Sequence, residues 1–369
     1  MAAPRASGRG DPSVAGSLRV LYFGTYERGY PRNAQVIACL RRAGVDVVEH
    51  HAAVWDEDEH KWNAGIGAVA RIAAAEARLL RRPSGDFDVV VVGYPGQLDL
   101  PAARRAARGK PVVFNPLVSL WDTWVADRGR FAPGSVPGRL LARIDRAAFR
   151  AADLVVADTE QNADFLAGLA VLPRERFAVC LVGAEERIFQ PPWAGGDRFL
   201  FVGKLIPLHG LETILGAAAL APDLRVTVAG SGQLAGLLAE RPANVEWVPW
   251  IEYEQLGDAY RGALAALGIF GTSSKAGRVI PNKAFQALAC GTPLITADTP
   301  AARELLADGE SALLVPPGDA GALADAMRTI AGDPELRTRL SEGGLRVYRE
   351  RASEEVLGRT WRQVLESLP

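Results

Sequence analysis

The stretch LGIFGTSSKAGRVIPNKAFQALACGTPLIT, residues 267–296, decides the fold class of this chain. It opens with an apolar run, continues through a glycine-rich and cationic loop, and then predicts a helix of small residues at 282–290. Pro281 suits the first turn of that helix, and a Gly-Thr-Pro sequence ends it before an apolar strand at 294–296. Strand, loop, helix and strand make one unit of a doubly wound α/β domain. Because such folds bind ligands at the carboxyl ends of their strands, the loop predicts a ligand site.

Cationic side chains indicate that this ligand carries phosphate. Lys275, Arg278 and Lys283 flank the predicted helix N-terminus, which is itself a favourable place for an anion. The chain contains only 5 Lys against 37 Arg, and Lys204, Lys275 and Lys283 all fall in predicted ligand loops. A compact ammonium suits phosphate oxygens as a point charge. The alternative is that these lysines are ordinary solvated side chains, an interpretation with most weight at Lys275.

Composition narrows the class of protein. The 369 residues are 49% hydrophobic and 23% charged with net charge −1, which is typical of a soluble protein of two domains and gives no support to nucleic-acid binding. No apolar run is long enough to span a membrane, and residues 1–17 are polar without a signal-peptide core. We therefore expect a disordered tail and a cytoplasmic location. Cys39, Cys180 and Cys290 lie far apart in apolar segments, so we expect buried thiols.

Strand and helix patterns alternate in two successive halves of the chain. They predict a first domain at 18–190, a linker at 191–197, a second domain at 198–353, and a last helix at 354–369 that can cross back to the first domain. The predicted architecture is two Rossmann-like, doubly wound parallel sheets that face a cleft. The predicted strands are 18–23, 45–49, 87–92, 111–114, 154–157 and 178–182 in the first half, and 199–202, 224–229, 245–248, 263–270 and 294–296 in the second.

Long collinear strings resemble the family-4 glycosyltransferases, which are retaining enzymes of the GT-B fold. FVGKLIPLHGLETIL at 201–215 looks like the strand, loop and helix with which that family grips the donor diphosphate. VTVAGSGQL at 226–234 is similar to its next glycine-rich turn, and GAEERIFQP at 183–191 to the segment before its linker. The region from 287 to 327 resembles the most regular part of the family. The resemblance implies sugar transfer from a UDP- or GDP-sugar, with no further cofactor.

The sequence departs from the family in its active-site loop. The family commonly carries two glutamates eight positions apart, where this chain has Arg278 and Gln286. Gln286 can still hydrogen-bond a ribose diol, whereas Arg278 cannot replace a carboxylate. The Arg and Lys of the family's diphosphate loop correspond to Lys204 and His209. We interpret these changes as a rearranged cation cluster in an atypical branch, marked by the strings PLHG and RVIPNK.

The resemblance and the loop positions together define the candidate donor site. Lys204, Lys283 and Arg278 are the predicted catalytic cations. The predicted donor-binding residues are Gly24, Gly203, His209, Gly230, Gly232, Trp250, Ser274, Lys275, Val279, Ile280, Asn282 and Gln286. No metal is expected: the D-x-D strings at 56–58 and 86–88 are predicted to be solvated loops, since spacing alone supplies no converging oxygen ligands.

Loops of the first half are expected to bind the acceptor, a small molecule, a glycan or a lipid-linked compound. The predicted acceptor-binding residues are Arg32, Asn33, Asn115, Trp121, Asp122 and Asp127. The tryptophan segment at 121–128 suits sugar stacking, but it suits a plain amphipathic helix equally well. An arginine-rich helix at 139–150 can lie on an anionic membrane, although a solvated helix over a core is the more common outcome.

Two rival functions stay open at the level of sequence. One is a GT-B enzyme of another reaction, such as a nucleotide-sugar epimerase or a phosphorylase. The other is a protein that binds nucleotide sugars without transferring them, which the loss of both glutamates favours. The retained lysines favour a transferase in which the departing diphosphate is stabilised by fixed cations.

Overall fold

The strands of the chain form two six-stranded sheets in the residues that the computed structural model describes, 18–54 and 66–368. Every strand pair in the first sheet is parallel, and the strand order is β2-β1-β3-β4-β5-β6. Its strands are β1 (Arg19–Gly24), β2 (Asp46–His51), β3 (Val89–Val92), β4 (Val112–Phe114), β5 (Leu154–Ala157) and β6 (Phe177–Val179). The four valines of β3 are all buried, as expected for a central strand covered on both faces.

Helices cover both faces of this first half. They are α1 (Pro31–Arg42), α2 (Ile66–Leu79), α3 (Leu100–Ala107), α4 (Val136–Ala151) and α5 (Glu160–Ala170), with one π-helical turn at Asp122–Asp127. Thr159 caps α5 by accepting a hydrogen bond from the backbone N–H of Asn162. In α4, Arg146 and Arg150 donate to carbonyls at the end of α5, so part of its arginine row serves packing between helices.

The second sheet has the strand order β12-β11-β10-β7-β8-β9, again all parallel. Its strands are β7 (Arg198–Val202), β8 (Arg225–Ala229), β9 (Val245–Val248), β10 (Ala265–Leu267), β11 (Leu294–Ala297) and β12 (Leu313–Val315). The helices of this half are α6 (Leu211–Leu220), α7 (Leu256–Arg261), α8 (Asn282–Cys290), α9 (Pro300–Arg303), α10 (Ala320–Gly332) and α11 (Pro334–Arg351). The chain reverses direction across the sheet between β7 and β10, which places a ligand crevice at the carboxyl ends of these two strands.

The predicted fold class, two doubly wound parallel sheets, is confirmed, with local differences. The strand predicted at 263–270 is only three residues long, and Gly268 follows it at a point where a Cβ would lie 2.3 Å from the Thr296 hydroxyl. Strand β12 was absent from the prediction, since three residues between loops carry almost no periodic signal. The predicted tail at 1–17 and the D-x-D string at 56–58 lie outside the described residues.

The last helix, α12 (Glu354–Glu366), follows α11 but packs on α1 of the first half. Trp361 is 1% exposed in the apolar cluster that contains Val36 and Leu40. Gly358 permits this contact, because a Cβ there would lie 2.5 Å from the carbonyl oxygen of Cys39. The three cysteines are buried free thiols. Among the described residues, none of the helices is both long and apolar enough to cross a membrane.

We expect the Trp361→Ala variant to lower the free energy of unfolding by about 3–5 kcal/mol, because it leaves a cavity between α12 and α1. Trp250→Ala is the matched control. Trp250 is 69% exposed, and its removal should change stability by less than about 0.5 kcal/mol. Urea denaturation of both variants measures the difference. Equal destabilisation by the two substitutions would contradict the packing role of α12.

Candidate active site

Three glycines let two loops of the second half meet at the carboxyl edge of its sheet. A Cβ at Gly230 would lie 2.0 Å from the carbonyl oxygen of Gly203, and one at Gly232 would lie 2.8 Å from the backbone nitrogen of Leu205. All three glycines have positive φ, between 138° and 151°, which side chains disfavour. The glycine-rich turn predicted from sequence therefore serves close packing of the β7 and β8 loops.

Lys283 and His209 converge on the backbone of Gly203. A Cβ at Gly203 would lie 2.8 Å from Lys283 Nζ and 3.2 Å from His209 Cε1. The Lys283 ammonium also lies 3.8 Å from the centre of the Phe201 ring, a distance suited to a cation–π contact. An ammonium and an imidazole thus share one small space at the end of β7.

The Lys283 ammonium is buried without a hydrogen-bond partner. The residue is 6% exposed, and its Nζ donates no hydrogen bond within the described parts of the chain. Desolvation holds the pKa of Lys283 well below its ordinary value. A buried, unpaired ammonium is costly to the fold, so this position points to an anionic ligand that pairs with it.

His209 is held neutral beside this lysine. Desolvation, and then the charges of Lys283 and Lys204, keep the pKa of His209 well below its ordinary value. The Nδ1 of His209 donates to the carbonyl oxygen of Lys204, which leaves Nε2 as the nitrogen without the proton. Lys204 itself is exposed, and its pKa is lowered by partial desolvation and by Arg128 of the first half.

Helix α8 begins beside this cluster with an open N-terminus. Pro281 occupies its N-cap position and offers no side-chain hydrogen bond to the first turn. Asn282, the first helical residue, is half-buried, and Lys283 follows it. The orphan N–H groups of this turn add a favourable potential for an anion.

Gln286 is buried, and its amide oxygen has a partner within the second half. It is 7% exposed, and its Oε1 accepts a hydrogen bond of 3.3 Å from the hydroxyl of Tyr260. Its predicted contact with a ribose stays a prediction.

Arg278 and Lys275 face the first half of the chain. Arg278 Nη2 lies 2.6 Å from Asp122 Oδ1, and its guanidinium lies 3.8 Å from the centre of the Phe165 ring. Lys275 donates to the hydroxyl of Thr123 at 2.8 Å and lies 3.7 Å from Asp122 Oδ2. This corrects the predicted cation cluster, because both side chains pair with protein groups across the interface between the halves.

Three residues of the predicted acceptor site, Arg32, Asn33 and Asn115, are fully buried, and their contact with an acceptor stays a prediction. Arg32 donates to Asn115 Oδ1 at 3.0 Å and to two carbonyls after β6. Asn33 exchanges hydrogen bonds with the backbone of Tyr94 and accepts one from the hydroxyl of Tyr22. These side chains hold loops together beneath the cleft, since a polar residue after a strand can turn inward as readily as outward.

The tryptophan segment lies at the interface, as one π-helical turn. Trp121 is half-buried and precedes Asp122, whose carboxylate is 4% exposed. Asp127 is also buried, and its Oδ1 has no partner in the described residues; burial raises its pKa. Arg128 was not among the predicted site residues; its charge influences Lys204 of the second half, and its guanidinium lies 5.0 Å from the Trp124 ring centre.

The remaining residues predicted to bind the donor lie in different surroundings. Trp250 is exposed and donates to Glu252 at 3.0 Å. Ser274 is exposed and Val279 half-buried, whereas Ile280 packs in an apolar cluster that contains Tyr94 of the first half. A Cβ at Gly24 would collide with the Asp99 carboxylate, so this glycine serves packing in the first half.

No group of three or more metal-binding side chains comes together in the described residues. Of the D-x-D string at 86–88, Asp88 accepts a hydrogen bond from the backbone N–H of Arg19, which fits a turn before β3.

Comparison with known proteins agrees with this architecture. The sequence profile described as Glycosyl transferases group 1 matches residues 184–347. The D-inositol 3-phosphate glycosyltransferase of Frankia alni is 30% identical over 314 residues, which are 75% of this chain and 74% of that protein. The lipopolysaccharide core biosynthesis glycosyltransferase LpsE of Rhizobium meliloti is 26% identical over 226 residues, 60% of this chain and 66% of that protein.

Two solved structures share the fold. Sucrose-phosphate synthase from Thermosynechococcus elongatus superposes with a TM-score of 0.70 at 18% identity, over 95% of this chain and 100% of that chain. Anabaena HepE in complex with UDP and glucose superposes with a TM-score of 0.68 at 15% identity, over 95% of this chain and 100% of that chain. They confirm the predicted GT-B architecture.

We expect Arg278→Glu to lower the thermal unfolding midpoint, because it sets a second carboxylate against Asp122. Breaking a buried pair typically costs about 3–5 kcal/mol. Asp122→Arg in the same chain should restore part of that loss by reversing the pair, with Lys275 limiting the recovery. Calorimetry of the two single variants and the double variant measures the coupling. A double variant no more stable than the sum of the single effects would contradict a direct ion pair.

Proposed function

The chain belongs to the group 1 glycosyl transferases, and we propose that it transfers a sugar from a uridine diphosphate sugar to a hydroxyl of its acceptor. We further propose that transfer retains the anomeric configuration and uses fixed cations instead of a metal. Lys283 carries this proposal, because a buried ammonium without a protein partner stands at the carboxyl edge of the second sheet, beside a helix N-terminus. That is where a doubly wound fold receives phosphate. UDP bound to the Anabaena structure of the same fold supports this choice of nucleotide.

The position of Lys283 compensates for a change in the diphosphate loop. Where the family-4 resemblance leads us to expect a second basic residue in that loop, this chain has His209, which is neutral in the free protein. The Lys283 ammonium enters the same space from α8, since both side chains approach Gly203. The cation expected at His209 in the β7 loop is therefore supplied by Lys283 of α8.

In the proposed reaction the acceptor oxygen forms a bond to the anomeric carbon as the bond from that carbon to the diphosphate breaks. Negative charge grows on the departing diphosphate, where Lys283, Lys204 and the open amides of α8 stabilise it. The departing phosphate takes the proton of the acceptor hydroxyl on the same face, so no separate protein base is required. Arg128 approaches Lys204 from the first half, and we assign it to closing the cleft over the diphosphate.

We expect Lys283→Met to weaken UDP binding about 10- to 100-fold, since a hydrogen bond to a charged group contributes roughly 1.5–3 kcal/mol. The turnover number for transfer should fall about 10²- to 10³-fold, as for the loss of one preorganised donor. The thermal unfolding midpoint should stay equal or rise, because Met keeps the contact with Phe201 and removes an unpaired buried charge.

Lys110→Met is the matched control for this experiment. The Lys110 ammonium also lies over a phenylalanine ring, 4.8 Å from the centre of Phe87 in the first half, so its removal should leave UDP affinity unchanged. Titration calorimetry with UDP and a thermal scan of both variants provide the readouts. Normal UDP affinity in Lys283→Met would contradict the role of Lys283 in binding the diphosphate. Tight UDP binding without any turnover in the parent protein would instead favour a protein that binds nucleotide sugars without transferring them.

Binding of UDP should be accompanied by proton uptake at pH 8. In the free protein the pKa values of Lys283 and His209 are both depressed, and a bound diphosphate raises both by pairing with the protonated forms. The complex therefore binds protons more tightly than the free protein does, and affinity falls as pH rises through the pKa values of the complex. At pH 8 the phosphates of UDP are already ionised, with a second pKa of about 6. Calorimetry in two buffers of different ionisation enthalpy measures the uptake, and proton release would contradict this account.

A further inference from the structure

The outer face of α4 is basic along its whole length. This helix has 16 residues, so at a rise of 1.5 Å per residue it is about 24 Å long. Four arginines recur on it at intervals of three and four residues together with two large apolar side chains, which places all six on one face. These exposed residues are Val136, Arg139, Leu140, Arg143, Arg146 and Arg150.

The inner face of α4 fixes the helix on the body of the first half. Phe149 is fully buried in the apolar cluster that contains Phe114 and Phe177. Asp145 is the one acidic residue of the helix, and it is fully buried, where its carboxylate accepts from the hydroxyl of Ser119 at 2.7 Å. The helix therefore has no exposed carboxylate that could neutralise its outer face.

Two arginines of this face are available to a partner. Arg146 and Arg150 each donate through Nε to a carbonyl at the end of α5. The guanidinium groups of Arg139 and Arg143 are exposed and make no hydrogen bond or ion pair within the residues that the structure describes. Because these two residues are one turn apart, they present two adjacent positive charges to the solvent.

Exposed apolar side chains accompany these charges. Val136 is 70% exposed and Leu140 is 54% exposed. Val171 is 69% exposed and directly follows the two α5 carbonyls that accept from the arginines of α4, so it extends the same surface. Apolar side chains of this size gain free energy when they leave water. The surface therefore suits a partner that is anionic outside and apolar just beneath.

A bilayer with anionic headgroups has both properties. Its phosphates attract a cluster of arginines, and the boundary between headgroups and acyl chains accepts apolar side chains. A nucleic acid supplies phosphates, but its backbone offers no apolar layer to Val136 and Leu140. Since the net charge of the whole chain is −1, attraction to an anionic surface depends on this local face and not on an overall positive charge.

We propose that the outer face of α4 docks the protein on an anionic membrane surface. Arg139 and Arg143 contact the lipid phosphates, and Val136 and Leu140 enter the headgroup layer, so the protein lies on the bilayer without crossing it. Asp145 also accepts from the backbone N–H of Trp121 at 2.9 Å, which joins the docked helix to the loop at the cleft. This inference goes beyond the proposed glycosyl transfer and does not depend on it.

Cosedimentation of the full chain with lipid vesicles tests the charges. We expect binding to vesicles of equal parts phosphatidylglycerol and phosphatidylcholine, and none to vesicles of phosphatidylcholine alone. Combining Arg139→Glu with Arg143→Glu should weaken binding at least about 30-fold, because each arginine near an anionic surface contributes about fivefold to the affinity. The control combines Arg346→Glu with Arg349→Glu, two exposed arginines of α11, and should change binding by less than about threefold.

A second pair of variants tests the apolar contact. Leu140→Asp should weaken vesicle binding about tenfold, because the carboxylate cannot enter the headgroup layer as the leucine does. Leu220→Asp is the matched control, since Leu220 is 53% exposed at the end of α6 and Leu140 is 54% exposed. Thermal unfolding and UDP titration of all four variants should match the parent, which shows that the fold and the proposed donor site are intact.

Three outcomes would overturn the docking: no binding to the anionic vesicles, equal binding to the neutral vesicles, or equal weakening by the α4 variants and their controls. A single-stranded RNA serves as the competing probe. If it bound as tightly as the vesicles and lost affinity in the double arginine variant but not in Leu140→Asp, the face would belong to a nucleic acid instead. A parent protein that failed to bind UDP would count against the proposed transfer, while the vesicle experiments would still decide the docking.

Discussion

The unpaired ammonium of Lys283 is the constraint on which the proposed donor site depends. A charged group removed from water costs the fold several kcal/mol unless it finds a partner, and the surroundings of Lys283 are arranged around that cost. Gly203 has no side chain because one would occupy the position of the ammonium. Burial, and then the neighbouring charge of Lys283, keep the pKa of His209 well below its ordinary value, so a second cation does not add to that cost. The Phe201 ring supplies the one attractive contact to the ammonium that the structure shows. The fold is thus less stable at this point than it would be with a neutral side chain, a cost that the anion of the proposed function would offset.

The interface between the halves depends on the ion pair between Arg278 and Asp122. A guanidinium has only donors, so Arg278 requires an acceptor group. The sequence predicted that this group belongs to a ligand. The structure supplies it as Asp122 of the first half, with Lys275 and Thr123 alongside. Glu304 of the second half adds a matching contact, because its carboxylate accepts from the first two backbone N–H groups of α5. Loops that the family resemblance assigns to substrate are therefore used here, at least in part, to join the two halves.

Backbone patterns were easier to predict than the directions of polar side chains. Continuous apolar runs, glycine turns and Pro281 were sufficient to predict the two parallel sheets and the bounds of α8, because these signals act locally. The burial of Arg32, Asn33 and Asn115 could not be predicted, because loop sequence does not show which side chains turn beneath the cleft. Arg128 was missed for the opposite reason: in a chain with 37 arginines, one more gives no signal until the fold brings it to Lys204.

Charge is divided between the two sides of the cleft. The donor side presents Lys204 and Lys283, whereas a cavity of the first half, where the loops after β1 and β3 meet, presents Asp99 and Glu27. Burial and the neighbouring Asp99 raise the pKa of Glu76 to about 9, so one more carboxyl beside this cavity holds its proton and donates to Asp99. A substrate with phosphate at one end and hydroxyls at the other has one favourable orientation in such a field, with its phosphate toward the lysines.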